Sequence, residues 1–102
     1  MAQVVWAEPA LQGLDAIADY IALENPDAAK LLVRKLLETV EQLEEFPESG
    51  TRPRELRGTP YRKLTIKPVL VYYRIEEKEI YIVHVVRNER KFSLKRIQSH
   101  DK

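Results

Sequence analysis

Residues 68–88 read PVLVYYRIEEKEIYIVHVVRN, and this stretch decides the fold. Two runs rich in Val, Ile and Tyr, residues 69–75 and 80–86, flank the charged tetrapeptide Glu76-Glu77-Lys78-Glu79. β-Branched and aromatic side chains fill a pleated, half-buried surface, whereas four consecutive charges do not, so the pattern predicts a hairpin of two long strands. Alternation puts Val69, Val71, Tyr73 and Ile75 on one face of the first strand. It puts Ile80, Ile82, His84 and Val86 on one face of the second, and Tyr81, Val83 and Val85 on the other. Both faces are largely apolar, which places the hairpin in the middle of a sheet covered on at least one side. The second strand runs directly into Arg87-Asn88-Glu89-Arg90-Lys91, a cationic loop on a rigid support.

Upstream of the hairpin the period changes. Residues 3–7 form a short strand candidate, with Val5 facing one way and Val4 and Trp6 the other. Glu8-Pro9 opens a helix, since proline suits the first helical position, and Leu11, Leu14, Ile17, Ala18 and Ile21 recur at helical spacing. Asn25 is a natural N-cap and Pro26 a natural first residue for a second helix. Its apolar stripe is Ala29, Leu32, Val33, Leu36, Leu37, Val40 and Leu43, and Phe46-Pro47 ends it at a length of roughly 30 Å. Residues 48–60 are irregular and interleave Pro53, Gly58 and Pro60 with Arg52, Arg54 and Arg57. Residues 61–67 make the next strand, and Phe92, Leu94 and Ile97 suggest a short C-terminal helix or turn. The expectation is one α+β domain spanning residues 1–102. In it a helical hairpin packs on a three- to four-stranded, mainly antiparallel sheet, with a short C-terminal helix.

A length of 102 residues suits one domain with a modest core, and 44% apolar with 32% charged residues is ordinary for a globular protein. With no cysteine, disulfide frameworks and cysteine chemistry are excluded. No signal-peptide pattern opens the chain and no run approaches the roughly 20 apolar residues that span a bilayer, so a cytoplasmic protein without membrane contact is expected. The net charge of +1 hides an asymmetry: residues 1–51 hold ten acids against three bases, and residues 52–67 hold six bases against one acid. Residues 87–102 hold six bases against two acids. Such polarity suits an acidic or polyanionic partner, and equally suits pairing of the two halves across a solvated surface.

Few chemistries fit. Two histidines, His84 and His100, without carboxylates at ligand spacing make a poor metal site, and no cofactor is expected. Ser49 and Ser93 sit in no nucleophile-elbow sequence, and no glycine-rich phosphate loop exists. The cations fit better: Arg62 and Lys63 on one strand and Arg87, Arg90 and Lys91 at the end of another, with Tyr61 and Tyr72 between, are residue types that contact phosphate and stack on bases. The alternative is that the tyrosines pack the sheet and the cations solubilise it.

In order and spacing, three segments carry a resemblance. They are WAEPALQGLDAIADYIALENPDAAKLLVRKLLETVEQLEEFPESG (residues 6–50), RELRGTPYRKL (54–64) and VLVYYRIEEKEIYIVHVVRNERK (69–91). The chain resembles the RelE/ParE superfamily of toxins from bacterial type II toxin–antitoxin, or plasmid-stabilisation, systems. Tyr20-Ile21-Ala22, Asn25-Pro26 and His84-Val85-Val86-Arg87-Asn88 look closer to the ParE branch. The resemblance implies inhibition of DNA gyrase, neutralisation by a cognate antitoxin that wraps the toxin, and operator-DNA contact only through that antitoxin. Its effector contacts would fall among Arg62, Lys63, His84, Arg87, Arg90, Lys91 and Phe92. A RelE-like member would instead be a metal-independent endoribonuclease cutting mRNA on the ribosome, here with Lys63 and Arg87. That branch carries an arginine on the strand where this chain has Val69 and Leu70, and a later tyrosine where it has Phe92 or Ser93. A third possibility is a non-toxic member that only binds its partner.

Overall fold

The structure is a computed structural model that describes residues 2–88. Strand β1 (Gln3–Trp6) leads into helices α1 (Glu8–Ala22) and α2 (Pro26–Glu41). Three short 3-10 turns, Gln42–Glu44, Pro47–Ser49 and Arg54–Leu56, precede β2 (Tyr61–Ile66), β3 (Val69–Glu76) and β4 (Glu79–Arg87). The sheet order is β1-β4-β3-β2, with β1 parallel to β4 and the other pairs antiparallel. The helical hairpin therefore carries the chain from one sheet edge to the other, and three consecutive strands bring it back. The expected α+β architecture is present, with four strands and one parallel pair. The expected C-terminal helix lies outside the described residues.

Local chemistry explains the helix starts. Pro9 lies in the first turn of α1, and the Asn25 side chain accepts the Ala28 N–H at 3.0 Å, capping α2 ahead of Pro26. α2 ends at Glu41, short of the expected limit at Phe46, and at about 1.5 Å per residue spans roughly 24 Å. The 3-10 turn Gln42–Glu44 continues its direction and delivers Leu43 to the core. Gly13 lets α1 lie directly on β4: a Cβ there would collide with the Val85 carbonyl oxygen.

Helices and sheet share the main core. Ala10, Leu14, Ile17, Leu36, Val40 and Leu43 pack against Ile66, Val69, Val71, Tyr73, Ile80, Ile82 and Val85. A smaller cluster on the opposite face joins Leu56, Tyr61, Leu70, Tyr72 and Val83. Period-two alternation holds throughout β3, as the sequence predicts, but not in β4. The register shifts so that Tyr72 faces His84 while Tyr73 faces Ile82, leaving Val83 as the extra residue of a β-bulge. The bulge moves His84 and Val86 to the face of Tyr81 and Val83, and turns Val85 inward beside Ile80 and Ile82, reversing the alternation expected for these three residues.

Candidate functional site

The sheet face opposite the helices carries a row of polar side chains across three strands. Lys63 of β2 pairs with Tyr72 of β3, which pairs with His84 of β4. His84 is buried and Tyr72 is 1% exposed. Burial, aided by the Glu55 charge, pushes the Tyr72 phenol up to about 12, so it stays protonated at neutral pH. Lys63 Nζ lies 3.3 Å from Glu55 Oε1. A backbone hydrogen bond holds the Glu55 carboxyl below its usual range; burial opposes it, and the Lys63 hydrogen bond and charge add to the lowering. Next along this face, Arg74 pairs with Tyr61 across the strands and lies 4.5 Å from the Tyr81 ring centroid.

The loop before β2 is fastened to the sheet edge. Thr51 and Lys63 exchange two backbone hydrogen bonds of 2.9 Å. The fully buried Tyr73 hydroxyl donates to Pro47 O at 2.7 Å and accepts the Gly50 N–H at 2.9 Å. A Cβ on Gly50 would sit 2.5 Å from that hydroxyl, so the approach requires glycine. Arg62, opposite Tyr73, donates to Gly50 O at 3.1 Å and pairs with Glu48 at 3.3 Å.

The structure divides the sequence-derived site residues. Lys63 and His84 share the helix-free face with Tyr61 and Tyr72. Arg62, one residue from Lys63, points to the other face and holds the loop. Arg87 pairs with Val69 on the helix side, and its guanidinium lies 4.2 Å from the centroid of the Tyr20 ring on α1. Arg62 and Arg87 therefore do not join Lys63 on one surface, because adjacent strand residues face opposite ways and the bulge resets the phase of β4. Arg90, Lys91 and Phe92 lie outside the described residues. No group of three His, Cys, Asp or Glu side chains gathers among the described residues, and no helix there is long and apolar enough to cross a membrane.

A second surface was not singled out from sequence. Ala29, Val33 and Leu37 of α2 line an open groove of about 530 Å³ rimmed by Lys30, Arg34, Glu38 and Glu41. A smaller adjoining depression, lined by Val4, Trp6, Leu37 and Val40, extends it to β1 at the sheet edge. Leu37 belongs to the seven-residue apolar stripe read from the sequence, yet it is 45% exposed. A seven-residue stripe is wider than the sheet can cover, and that excess width was the available signal.

Comparison with known proteins agrees with this architecture. Residues 4–92 match the family described as ParE toxin of type II toxin-antitoxin system, parDE. Toxin RelE2 of Caulobacter vibrioides is 34% identical over 85 residues, covering 83% of this chain and 93% of its own length. The Sinorhizobium fredii protein Y4kP, which also carries a toxin name, is 34% identical over 84 residues, 82% of this chain and 85% of its own. A solved structure titled "Chromosomal ParDE TA system from P. aeruginosa" superposes with a TM-score of 0.74 at 28% identity, covering 87% of this chain and 98% of that one. With a match across most of its length and a shared fold, the chain belongs to the ParE toxin family of type II toxin–antitoxin systems.

Proposed function

We propose that this ParE-family toxin inhibits DNA gyrase and is held inactive by a cognate antitoxin. The observation favouring gyrase over mRNA is the separation of Lys63 and Arg87 onto opposite faces of the sheet. Two cations stabilise a phosphoryl transition state only when both reach the same phosphate. Lys63 is also engaged by Glu55, Arg87 is stacked on Tyr20, and Val69 and Leu70 are buried where a RelE-like nuclease carries an arginine. The effector contacts then lie on exposed cationic side chains rather than in a catalytic centre.

The α2 groove suits the antitoxin. An amphipathic segment that folds on binding would seat its apolar side on Val33 and Leu37 and set its charges against Lys30, Arg34, Glu38 and Glu41. Operator DNA would be reached through that antitoxin. The second reading, a ribosome-dependent mRNA endoribonuclease, is supported by the name of the RelE2 relative and by the Lys63, Tyr72 and His84 row. Purified toxin in parallel assays of gyrase supercoiling and of mRNA cleavage on programmed ribosomes separates the two. Loss of supercoiling with intact mRNA is expected. Cut mRNA with unaffected gyrase would overturn the proposal in favour of the nuclease.

A further inference from the structure

Arg54 and Arg57, which flank Glu55 and Leu56 in the turn before β2, have no part in the site described above. Leu56 is fully buried in the small cluster with Tyr61, Leu70, Tyr72 and Val83, plugging the turn into the helix-free face. The Arg57 N–H donates to Arg54 O at 3.1 Å, the Thr59 hydroxyl to Leu56 O at 2.6 Å, and Arg52 Nη2 to Thr59 O at 2.7 Å. Glu55 is taken by Lys63. Arg54 and Arg57 remain: both are exposed, and among the described residues neither has a side-chain hydrogen bond or ion pair. In a 3-10 turn, positions three apart lie above one another on the same side. The backbone thus sets Arg54 and Arg57 three positions apart, at the start of the turn and at its C-cap, while Leu56 anchors it from behind.

We infer that Arg54 and Arg57 are a docking point for the phosphate backbone of a DNA duplex. This rests on the gyrase reading: the toxin would grip the duplex its target holds, independently of base sequence. Arginine's planar fork matches phosphate geometry, and a backbone already fixed loses little freedom on binding. Residues 52–63 hold five bases and one acid, and that acid is neutralised by Lys63. A duplex fits better than an acidic peptide because the turn offers no apolar socket: Leu56 is turned inward, and the apolar groove lies on α2, across the sheet. Phosphates need no such socket.

The test is fluorescence anisotropy of a short duplex of arbitrary sequence with the purified full-length toxin, followed by supercoiling and antitoxin-binding assays on the same proteins. Between about 50 and about 200 mM KCl, the slope of log affinity against log salt should shrink by about 0.9 for Arg54→Ala or Arg57→Ala, and by about twice that for the double variant. Lys35→Ala, an equal charge loss on α2, should leave the slope unchanged, and thermal melting should show all variants folded. An unchanged slope in the arginine variants, an equal shift in Lys35→Ala, or no duplex binding by wild type would overturn the inference. If the wild type inhibits gyrase and the double variant inhibits equally, the contact is refuted while the gyrase reading stands. If duplex binding depends on the arginines but the wild-type toxin leaves gyrase uninhibited, the contact stands and the gyrase reading fails. Weakened antitoxin affinity with unchanged duplex binding would assign the turn to an acidic antitoxin segment and overturn the inference.

Discussion

The apolar clusters on the two faces of the sheet both draw on β2, β3 and β4 but solve different problems. One face meets the helical hairpin and is apolar from Ile66 to Val85, with Tyr73 the only buried hydroxyl-bearing residue of that cluster, its oxygen used to fasten the loop. The other face has no helix among the described residues and mixes a small apolar cluster with Lys63, Tyr72 and His84. The first face holds the fold together. The second spends less of its surface on packing and is free to carry charge. Substitutions should therefore damage stability on the helix side and activity on the other.

Leu36→Asp should have the largest effect. Leu36 is fully buried between helix and sheet, and an unpaired carboxylate there costs several kcal/mol, enough to abolish a cooperative melt by circular dichroism. A soluble variant with a cooperative transition would show that the helix side is not the main core. Tyr73→Phe should cost about 1–3 kcal/mol in urea unfolding, because Gly50 N–H and Pro47 O lose their partner in a buried place. A neutral result would mean that Arg62 and the Thr51–Lys63 backbone pair hold the loop without it.

The helix-free face should show itself in alkali. The folded state holds the Tyr72 proton more tightly than an unfolded chain does: burial pushes the phenol up from its ordinary 10.0 to about 12. Its stabilisation is complete below pH 10.0 and is lost as the pH rises through about 12. Tyr72→Phe should flatten part of that decline, and an unchanged profile would place the alkaline loss elsewhere. Lys63→Ala should be the mildest for stability, below about 1 kcal/mol, because its partner Glu55 is half exposed. Growth arrest on expression without antitoxin should nevertheless weaken. Unchanged toxicity in both Lys63→Ala and Arg87→Ala would remove these cations from the effector surface.

Much of the fold was legible from periodicity. The hairpin flanking Glu76–Glu79, the Asn25-Pro26 helix start and the helices-on-sheet packing follow from residue patterns alone. The bulge at Val83 was not, since an inserted residue among Ile, Val, His and Val leaves no break in hydrophobicity, and β4 thus exposes a different set of residues from the one alternation gives. The site suffered for that reason: cations at the right sequence positions do not share a face, and the phase of β4 decides where Arg87 goes. The loop was opaque because its anchors, Tyr73 to Gly50 and Thr51 to Lys63, pair residues 23 and 12 positions apart. The exposure of Leu37 was not legible because helical periodicity reports an apolar stripe but not how much of it the sheet covers.

The division between an antitoxin groove and an effector surface is tested most directly by Leu37→Arg, measured in gyrase supercoiling with and without cognate antitoxin. Leu37 is 45% exposed, so the variant should fold. The expected result is full inhibition of supercoiling that antitoxin no longer relieves. A folded variant that fails to inhibit gyrase, or one that antitoxin still neutralises at the wild-type ratio, would contradict the division.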